Sequence, residues 1–129
     1  MTVKFLSPEW ALQVQRAMND SERFKQAATG HSAVLQQVVT GTPDGGEARY
    51  YLKLRDGRAE VGLGELPDSE AIITQSYATA AAINRRELKV QNAFMQGQLQ
   101  VRGNLMKLLS LAGVVGAMVE AIDTIHVDY

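Results

Sequence analysis

Apolar and polar positions near the N-terminus recur with the period of an α-helix. Ser7, Pro8 and Glu9 are typical of a helix start, because serine accepts from free backbone amides, proline needs no donor there and glutamate suits the positive helix end. Apolar residues then follow three or four positions apart over residues 10–18. The pattern predicts a helix with one buried face, and a second, shorter helix that ends near Gly30.

In the middle of the chain the period changes to the alternation of β-strands. Apolar and polar residues alternate over 47–55 and again over 59–63, and the Asp-Gly dipeptide between the two runs is typical of a tight hairpin. Two more strands are predicted over 33–40 and 70–75. Because short turns join all four runs, the sequence predicts an antiparallel meander.

Helical spacing returns in the last third of the chain. We predict helices over 77–86 and 90–96, a fifth strand over 98–102, and a last helix of about twenty residues that begins after Asn104. Helices on both sides of a run of strands indicate an α+β fold. The expected architecture is a five-stranded, mostly antiparallel sheet covered by helices on one face, in a single domain over 1–129.

The predicted last helix is long and apolar on almost every side. Between Leu105 and Ile125 only Lys107, Glu120 and Asp123 are charged, and the main apolar face spans roughly 160°, wider than the stripe of an ordinary surface helix. Three interpretations follow. The helix could lie in the core, partly covered by a second copy of the chain; it could form a wall of an apolar ligand cavity; or it could lie in a membrane interface.

Composition and charge exclude several classes of function. Lys and Arg number 13 against 14 Asp and Glu, so the formal charge of −1 gives no general attraction to nucleic acid, and we expect no nucleic-acid partner. The chain has no Cys, which excludes disulfides, thiol catalysis and cysteine-based metal sites. The longest apolar stretch, 108–119, is shorter than the roughly 20 residues that a membrane span needs. We therefore expect a cytoplasmic protein.

No catalytic or metal-binding constellation stands out in the sequence. The two histidines, His31 and His126, lie in a loop-like stretch and in the terminal tail, without carboxylates at the spacing of a zinc site. We expect no enzyme activity, no cofactor and no metal. The local excess of basic charge is either the solvated end of a helix or a contact for the anionic headgroup of a ligand. Its members are Arg85, Arg86, Lys89 and Arg102.

The segment 93–108 carries a resemblance to a known family. Its sequence is Ala-Phe-Met-Gln-Gly-Gln-Leu-Gln-Val-Arg-Gly-Asn-Leu-Met-Lys-Leu. It is similar to the pattern of the sterol carrier protein type 2 (lipid-binding) family, in which Ala-Phe precedes a Gly-Lys-Leu strand and an apolar helix. Residues 71–74 and 50–57 resemble that family's fourth strand and its hairpin. The resemblance is strongest over 70–111, and 112–129 continues as an extended C-terminal helix and tail.

The resemblance implies a hydrophobic tunnel between sheet and helices that holds a fatty acid, an acyl-CoA, a phospholipid or a sterol-like molecule. It implies non-enzymatic lipid binding or transfer, with transient contact to a membrane surface. The alternative is an interaction module whose apolar C-terminal helix docks on a second copy, forming a homodimer, or on an enzyme of lipid metabolism. The side chains expected to line the tunnel are Leu52, Leu54, Val61, Leu63, Ile73, Ile83, Phe94, Leu99, Val101, Met106, Leu109, Leu111, Val115, Met118 and Val119.

Overall fold

A computed structural model describes residues 2–129 of the chain. Seven strands and six helices follow one another along these residues. In chain order they are β1 (Val3–Lys4), α1 (Pro8–Asp20), α2 (Glu22–Ala28), β2 (Ser32–Thr40), β3 (Glu47–Arg55), β4 (Arg58–Leu63), β5 (Ala71–Ser76), α3 (Tyr77–Asn84), α4 (Val90–Met95), β6 (Gln100–Gly103), α5 (Leu105–Ser110), α6 (Ala112–Ile122) and β7 (Val127–Asp128).

The predicted α+β fold with a five-stranded sheet is confirmed, but the predicted meander is wrong. The spatial order of the strands is β4-β3-β2-β5-β6. Three of the neighbouring pairs are antiparallel, whereas β5 leaves β4 and pairs with β2 in parallel, with Leu35 opposite Ala71. The sheet is therefore mixed, and the loop 64–70 must carry the chain across β3 and β2.

A buried glutamine holds that crossover loop in place. Gln36 is 1% exposed and lies on the face of the sheet opposite to Leu35. Its side chain accepts a hydrogen bond from the Leu66 amide at 2.8 Å and donates to the carbonyl oxygens of Gly64 at 2.9 Å and Tyr50 at 3.0 Å. A buried amide is stable only with its partners, so these bonds fix the loop against β2.

Helix α1 begins as predicted and lies against the edge strand β4. The Ser7 hydroxyl accepts from the Trp10 amide at 3.1 Å, which caps the helix start. From the far end of α1, the Asn19 side chain donates to the Ala59 carbonyl at 2.9 Å and accepts from the Ala59 amide at 2.8 Å. Side chains of the helix thus bond to backbone groups that a sheet edge leaves free.

The main core lies on one face of the sheet, under α1, α2, α3 and α6, which confirms the predicted covering by helices on one face. Its largest fully buried apolar side chains are Phe24, Met18 and Leu111. Every buried member of this core comes from residues 3–81 or 111–122. The stretch 82–110, which includes α4, β6 and α5, contributes none of them.

The predicted continuous last helix is two helices. Helix α5 has 6 residues and α6 has 11, and they meet at Leu111, whose backbone angles of φ −96° and ψ 9° interrupt the helical ladder. The Leu111 amide donates to the Leu108 carbonyl at 3.1 Å, as in a tightened last turn. Leu111 is fully buried, so the break lies at a side chain that packs in the core.

The two ends of the described chain lie side by side. The short strands β1 and β7 pair in parallel, with the Val3 amide donating to the His126 carbonyl at 2.9 Å. The Tyr129 ring packs against Phe5 with a centroid distance of 4.9 Å, and the Tyr77 hydroxyl donates to the Tyr129 carbonyl at 3.0 Å. Each strand has only two residues, so neither shows a period in the sequence.

Candidate functional site

Most of the exposed large apolar side chains lie on two short helices. Within residues 2–129, five of seven such side chains come from α4, α5 and their immediate ends. We call these five the α4–α5 surface. They are Phe94 at 38%, Met95 at 81%, Leu105 at 40%, Met106 at 75% and Leu109 at 54% exposure. Scattered apolar residues are ordinary on a protein surface, but a concentration of them marks a binding site for another molecule or a membrane.

Apolar residues of β5 and β6 extend the inner face of the sheet beyond the main core. Ile73 of β5 and Val101 of β6 are directly opposite each other on the inner face of the sheet. Ile73 and Ala93 are buried, yet neither belongs to the main core. The inner face around Ile73 and Val101 therefore lies outside the larger core, to which β5 contributes only Ala71.

The structure divides the predicted tunnel residues into three groups. The first belongs to the main core or packs against it, and comprises Leu52, Leu54, Val61, Leu111 and Met118. The second is buried or half-buried but lies outside that core, and comprises Ile73, Ile83, Leu99, Val101, Val115 and Val119. The third is exposed, and comprises Leu63, Phe94, Met106 and Leu109.

Of the exposed group, Leu63 lies apart from the others, on the edge strand β4. Together with Leu12 it borders an open apolar groove of about 310 Å³ between α1 and β4. Met95 and Leu105 are not among the predicted tunnel residues, although both fall within the segment 93–108 that carries the family resemblance. Both residues are apolar and lie next to predicted site residues, and the sequence alone could have identified them on that ground.

A second concavity of about 260 Å³ lies where the tail meets α3 and α6. It is lined mainly by polar groups, among them Asn84, Arg85, Asp123 and His126. Neither concavity runs between the inner face of β5–β6 and the helices α4 to α6. The predicted tunnel and its lining stay a prediction.

The predicted headgroup residues have different surroundings. The Arg85 guanidinium lies 4.2 Å from the centre of the Tyr129 ring, and Arg86 forms an ion pair with Asp123 at 3.3 Å. Lys89 and Arg102 are exposed and have no ion pair within residues 2–129. Arg102 follows Val101 on the strand, so its side chain lies on the outer face of the sheet.

The titration shifts occur mainly on tyrosines near the main core, away from α4 and α5. Burial raises the pKa of Tyr50, whose ring packs edge-to-face on Trp10 with a centroid distance of 5.2 Å. Burial also raises the pKa of Tyr77, and the nearby charge of Arg85 opposes part of that effect. Both pKa values rise because the phenol rings are packed away from water, where the neutral form is preferred.

The described part of the chain holds no group of three or more His, Cys, Asp or Glu side chains that could bind a metal ion. None of the helices in residues 2–129 is both long enough and apolar enough to span a bilayer. The absence of enzyme activity and the cytoplasmic location stay predictions.

Known proteins resemble this chain in sequence and in fold. Residues 12–116 match the SCP-2 sterol transfer family. Stomatin-like protein 1 from Homo sapiens is 35% identical over 97 residues, which are 74% of this chain and 24% of that protein. This chain thus spans about a quarter of the length of the curated relative it matches.

Two solved structures share the fold. A crystal structure of sterol carrier protein 2 superposes with a TM-score of 0.81 at 23% identity, covering 95% of this chain and 99% of that one. A possible sterol carrier protein from Thermus thermophilus superposes with a TM-score of 0.82 at 22% identity, covering 98% and 92%. The segment resemblance, the family match over most of the chain and the shared architecture agree. The chain belongs to the SCP-2 sterol transfer family.

Proposed function

We propose that this domain binds a lipid without chemical conversion and transfers it, holding the apolar part of the molecule between the inner face of β5–β6 and the helices α4 to α6. One observation carries the proposal. In a member of a sterol transfer family, most apolar side chains of α4, β6 and α5 stay outside the main core or exposed to water. A lipid tail would bury them.

The free energy available from such burial is sufficient for binding. Each buried CH₂ group contributes about 0.8 kcal/mol, while association costs roughly 4–15 kcal/mol. A long acyl chain or a sterol body therefore exceeds the cost, whereas a short acid does not. Met106 and Met118 suit a wall that adapts to different tails, because methionine is unbranched and flexible. The ligand class is a fatty acid, an acyl-CoA, a phospholipid or a sterol-like molecule.

A closed site of this kind must open to admit a ligand, and α4 and α5 are suited to that movement. Both are six residues long, and α5 has no buried residue, while α4 buries only Ala93. Elements with few buried contacts open locally at a small cost in free energy. We infer that a lipid enters by displacing these two helices from the sheet, while the main core stays intact.

An anionic headgroup would then lie at the edge of the opening. Lys89, just before α4, is exposed and has no ion pair in the described residues, so it is free to contact such a group. Arg85 and Arg86 would first have to leave Tyr129 and Asp123. Among the predicted headgroup residues we therefore favour Lys89.

The test begins with native mass spectrometry of the purified chain and extraction of any lipid that co-purifies. The chain is then titrated with hexadecanoate, and binding is compared between wild type, Leu109→Asp and Leu63→Asp. Both leucines are exposed, at 54% and 40%, so neither substitution should unfold the chain. We expect near-stoichiometric binding by the wild type and by Leu63→Asp, and binding weakened at least about tenfold by Leu109→Asp, because a charge would lie against the tail.

Three results would contradict the proposal. The groove between α1 and β4 would be the site if Leu63→Asp, and not Leu109→Asp, abolished binding. If both variants bound as well as the wild type, α5 would not take part. A wild-type chain that co-purifies with no lipid and ignores fatty acid, acyl-CoA, phospholipid and sterol would not be a carrier.

The alternative function, an interaction module, has support of its own in the exposed α4–α5 surface. The sequence placed the docking face on the last helix, whose first part is α5 with the exposed Leu105, Met106 and Leu109; α4 adds Phe94 and Met95. A homodimer or a lipid-metabolism enzyme would cover that surface. The same mass spectra give the subunit count, and an apo dimer without bound lipid would favour this alternative.

A further inference from the structure

We propose that the side-chain oxygen of Gln75 accepts a hydrogen bond from a hydroxyl group of the bound lipid, and that this bond favours alcohols over ligands without a donor. The inference rests on the proposed function, because it names the polar group of the molecule held against the inner face of β5–β6. The chemistry is that of a long apolar body with a neutral hydroxyl, as in a long-chain alcohol or a sterol.

Gln75 is a buried residue whose side-chain oxygen has no hydrogen-bond partner within residues 2–129. It is 8% exposed, and its Nε2 donates to Gln37 Oε1 at 3.1 Å, while its own Oε1 is buried and unpaired. Gln36, by contrast, is also buried but has partners for both its oxygen and its nitrogen. The other unpaired buried atom in the described chain, Trp10 Nε1, lies among the aromatic rings of the main core. Since buried polar groups are almost always paired, the oxygen of Gln75 indicates a donor from outside the chain.

Gln75 lies on the same face of the sheet as the proposed lipid site. Side chains alternate between the two faces of a strand, so Gln75 and Ile73 of β5 are on the inner face together, about 7 Å apart. On β2, Val39 is opposite Gln75 and belongs to the main core, whereas Ile73 does not. Gln75 therefore lies at the boundary between the main core and the part of the inner face that the lipid would cover.

The helices do not close completely over this part of the sheet. Gln37 is on β2, the middle strand of the five, and on the same inner face as Leu35, yet it is only half-buried. The hydrogen bond from Gln75 thus joins a buried side chain to one that solvent still reaches. A ligand group can approach the pair from that side while the main core stays in place.

The unpaired oxygen selects a neutral donor. An amide oxygen accepts hydrogen bonds and an alcohol donates one, whereas an ionised carboxylate only accepts. The segments 32–40 and 71–84, which include β2, β5 and α3, contain no charged residue, so a carboxylate buried there would have no cation beside it. A fatty acid would keep its carboxylate away from Gln75, at the edge near Lys89, while an alcohol would place its hydroxyl against Gln75.

The experiment compares hexadecanol with hexadecyl methyl ether, because the ether lacks the donor and keeps the oxygen. Dissociation constants are measured by displacement of a bound fluorescent fatty acid from the wild type, Gln75→Leu and Gln75→Met. Gln26→Leu is the matched control, because Gln26 is exposed on α2. Circular dichroism checks that each variant is folded, and Gln75→Met keeps the length of the side chain should leucine disturb the packing. Cholesterol and its methyl ether repeat the comparison for a sterol.

The preference for the alcohol is the Kd of the ether divided by the Kd of the alcohol. Differences in hydration between the two probes cancel when this preference is compared between two proteins. We expect it to fall by about fivefold or more from the wild type to either Gln75 variant, and to stay unchanged in Gln26→Leu, because a buried hydrogen bond is lost. Hexadecanoate binding should change little. The alcohol whose preference depends on Gln75, hexadecanol or cholesterol, identifies the source of the hydroxyl.

The outcomes separate this inference from the proposed function. If the wild type binds hexadecanoate and Leu109→Asp weakens that binding, but the preference for both alcohols survives in both Gln75 variants, the role of Gln75 is overturned and the lipid site stands. Variants that lose alcohol, ether and hexadecanoate equally would make Gln75 a structural support, and would also overturn the inference. A wild type that binds none of the probes would contradict the proposed function and the inference with it.

Discussion

Two regions of this domain use similar apolar residues in opposite ways. In the packed region, formed by α1, α2, α3 and α6 on β2 to β4, apolar side chains such as Phe24 and Met18 are fully buried. In the open region, formed by α4, β6 and α5, large apolar side chains such as Met95 and Met106 are mostly exposed. Apolar composition alone therefore does not decide which part of a chain becomes core.

Helix length accounts for only part of this difference, because α2, with seven residues, still buries Phe24. Helix α1 has 13 residues and presents a continuous apolar stripe, whereas α4 and α5 have six residues each, less than two full turns. A short helix gains little stability by itself and depends on its packing. We therefore expect the open region to have the lower local stability, as the proposed entry of a lipid there requires.

The largest difference in stability between the two regions is expected when one phenylalanine in each region is replaced by alanine. Phe24→Ala should lower the free energy of unfolding by about 3–5 kcal/mol, because it leaves a cavity in a fully buried site. Phe94→Ala is the matched substitution, and we expect less than about 1 kcal/mol because Phe94 is 38% exposed. Urea unfolding followed by circular dichroism measures both. Equal losses would show that the open region is packed as tightly as the core.

A second prediction concerns the crossover loop 64–70, which runs from β4 to β5. Gln36→Leu keeps the volume but leaves the Leu66 amide and the Gly64 carbonyl without their partner, which should cost about 1–3 kcal/mol. The exposed Gln91→Leu, on α4, is the control and should change stability by less than about 0.5 kcal/mol. An unchanged urea midpoint for Gln36→Leu would mean that the crossover does not depend on that side chain.

The packed region should also limit stability at alkaline pH. Burial raises the pKa of Tyr50 in the folded chain, so the unfolded state releases the proton first as pH rises past about 10. Stability is fully present below that pH and falls above it, with a slope of about 1.4 kcal/mol per pH unit for one proton. Tyr50→Phe should remove this part of the loss between pH 10 and 11. If the urea midpoint of Tyr50→Phe fell with pH as steeply as that of the wild type, the loss of stability would not come from Tyr50.

The smallest effect is expected at a glycine of α6. An added Cβ at Gly113 meets no atom within 4 Å, so Gly113→Ala should raise the free energy of unfolding by about 0.4–1 kcal/mol. Gly103→Ala is the contrast, because Gly103 has φ +102° and its Cβ would meet the backbone of Glu70. That variant should be destabilised. If both variants had similar thermal midpoints, β6 would be able to move away from Glu70 and make room for the added Cβ, contrary to this prediction.

Short sequence patterns predicted most helices and strands, but they did not predict which distant strands pair. The cap at Ser7 and the hairpin turn at Asp56 and Gly57, with φ of 45° and 87°, follow from short-range chemistry. The parallel pairing of β5 with β2 depends on Gln36, a polar residue in a largely apolar run, whose loop partners lie about thirty residues away. The break at Leu111 likewise depends on burial that periodicity cannot show.

The candidate site was predictable as a set of apolar positions, but not as a shape. Periodicity placed Leu52 and Ile73 alike on the inner face of the sheet, and it could not tell that Leu52 belongs to the main core and Ile73 does not. That distinction depends on which helix covers each strand. The family resemblance directed attention to the segment 93–108, which holds four of the five residues of the α4–α5 surface.

Trp10 gives the packed region a built-in optical reporter. It is the only tryptophan of the chain, it is 3% exposed, and its ring contacts Phe5 and Tyr50. Its indole emission should therefore be blue-shifted in the folded chain and move to longer wavelength when the core unfolds. Because Trp10 lies on α1, away from α4 and α5, a lipid that enters the open region should leave that emission almost unchanged. Intrinsic fluorescence should therefore report the unfolding of the packed region and change little when a lipid binds.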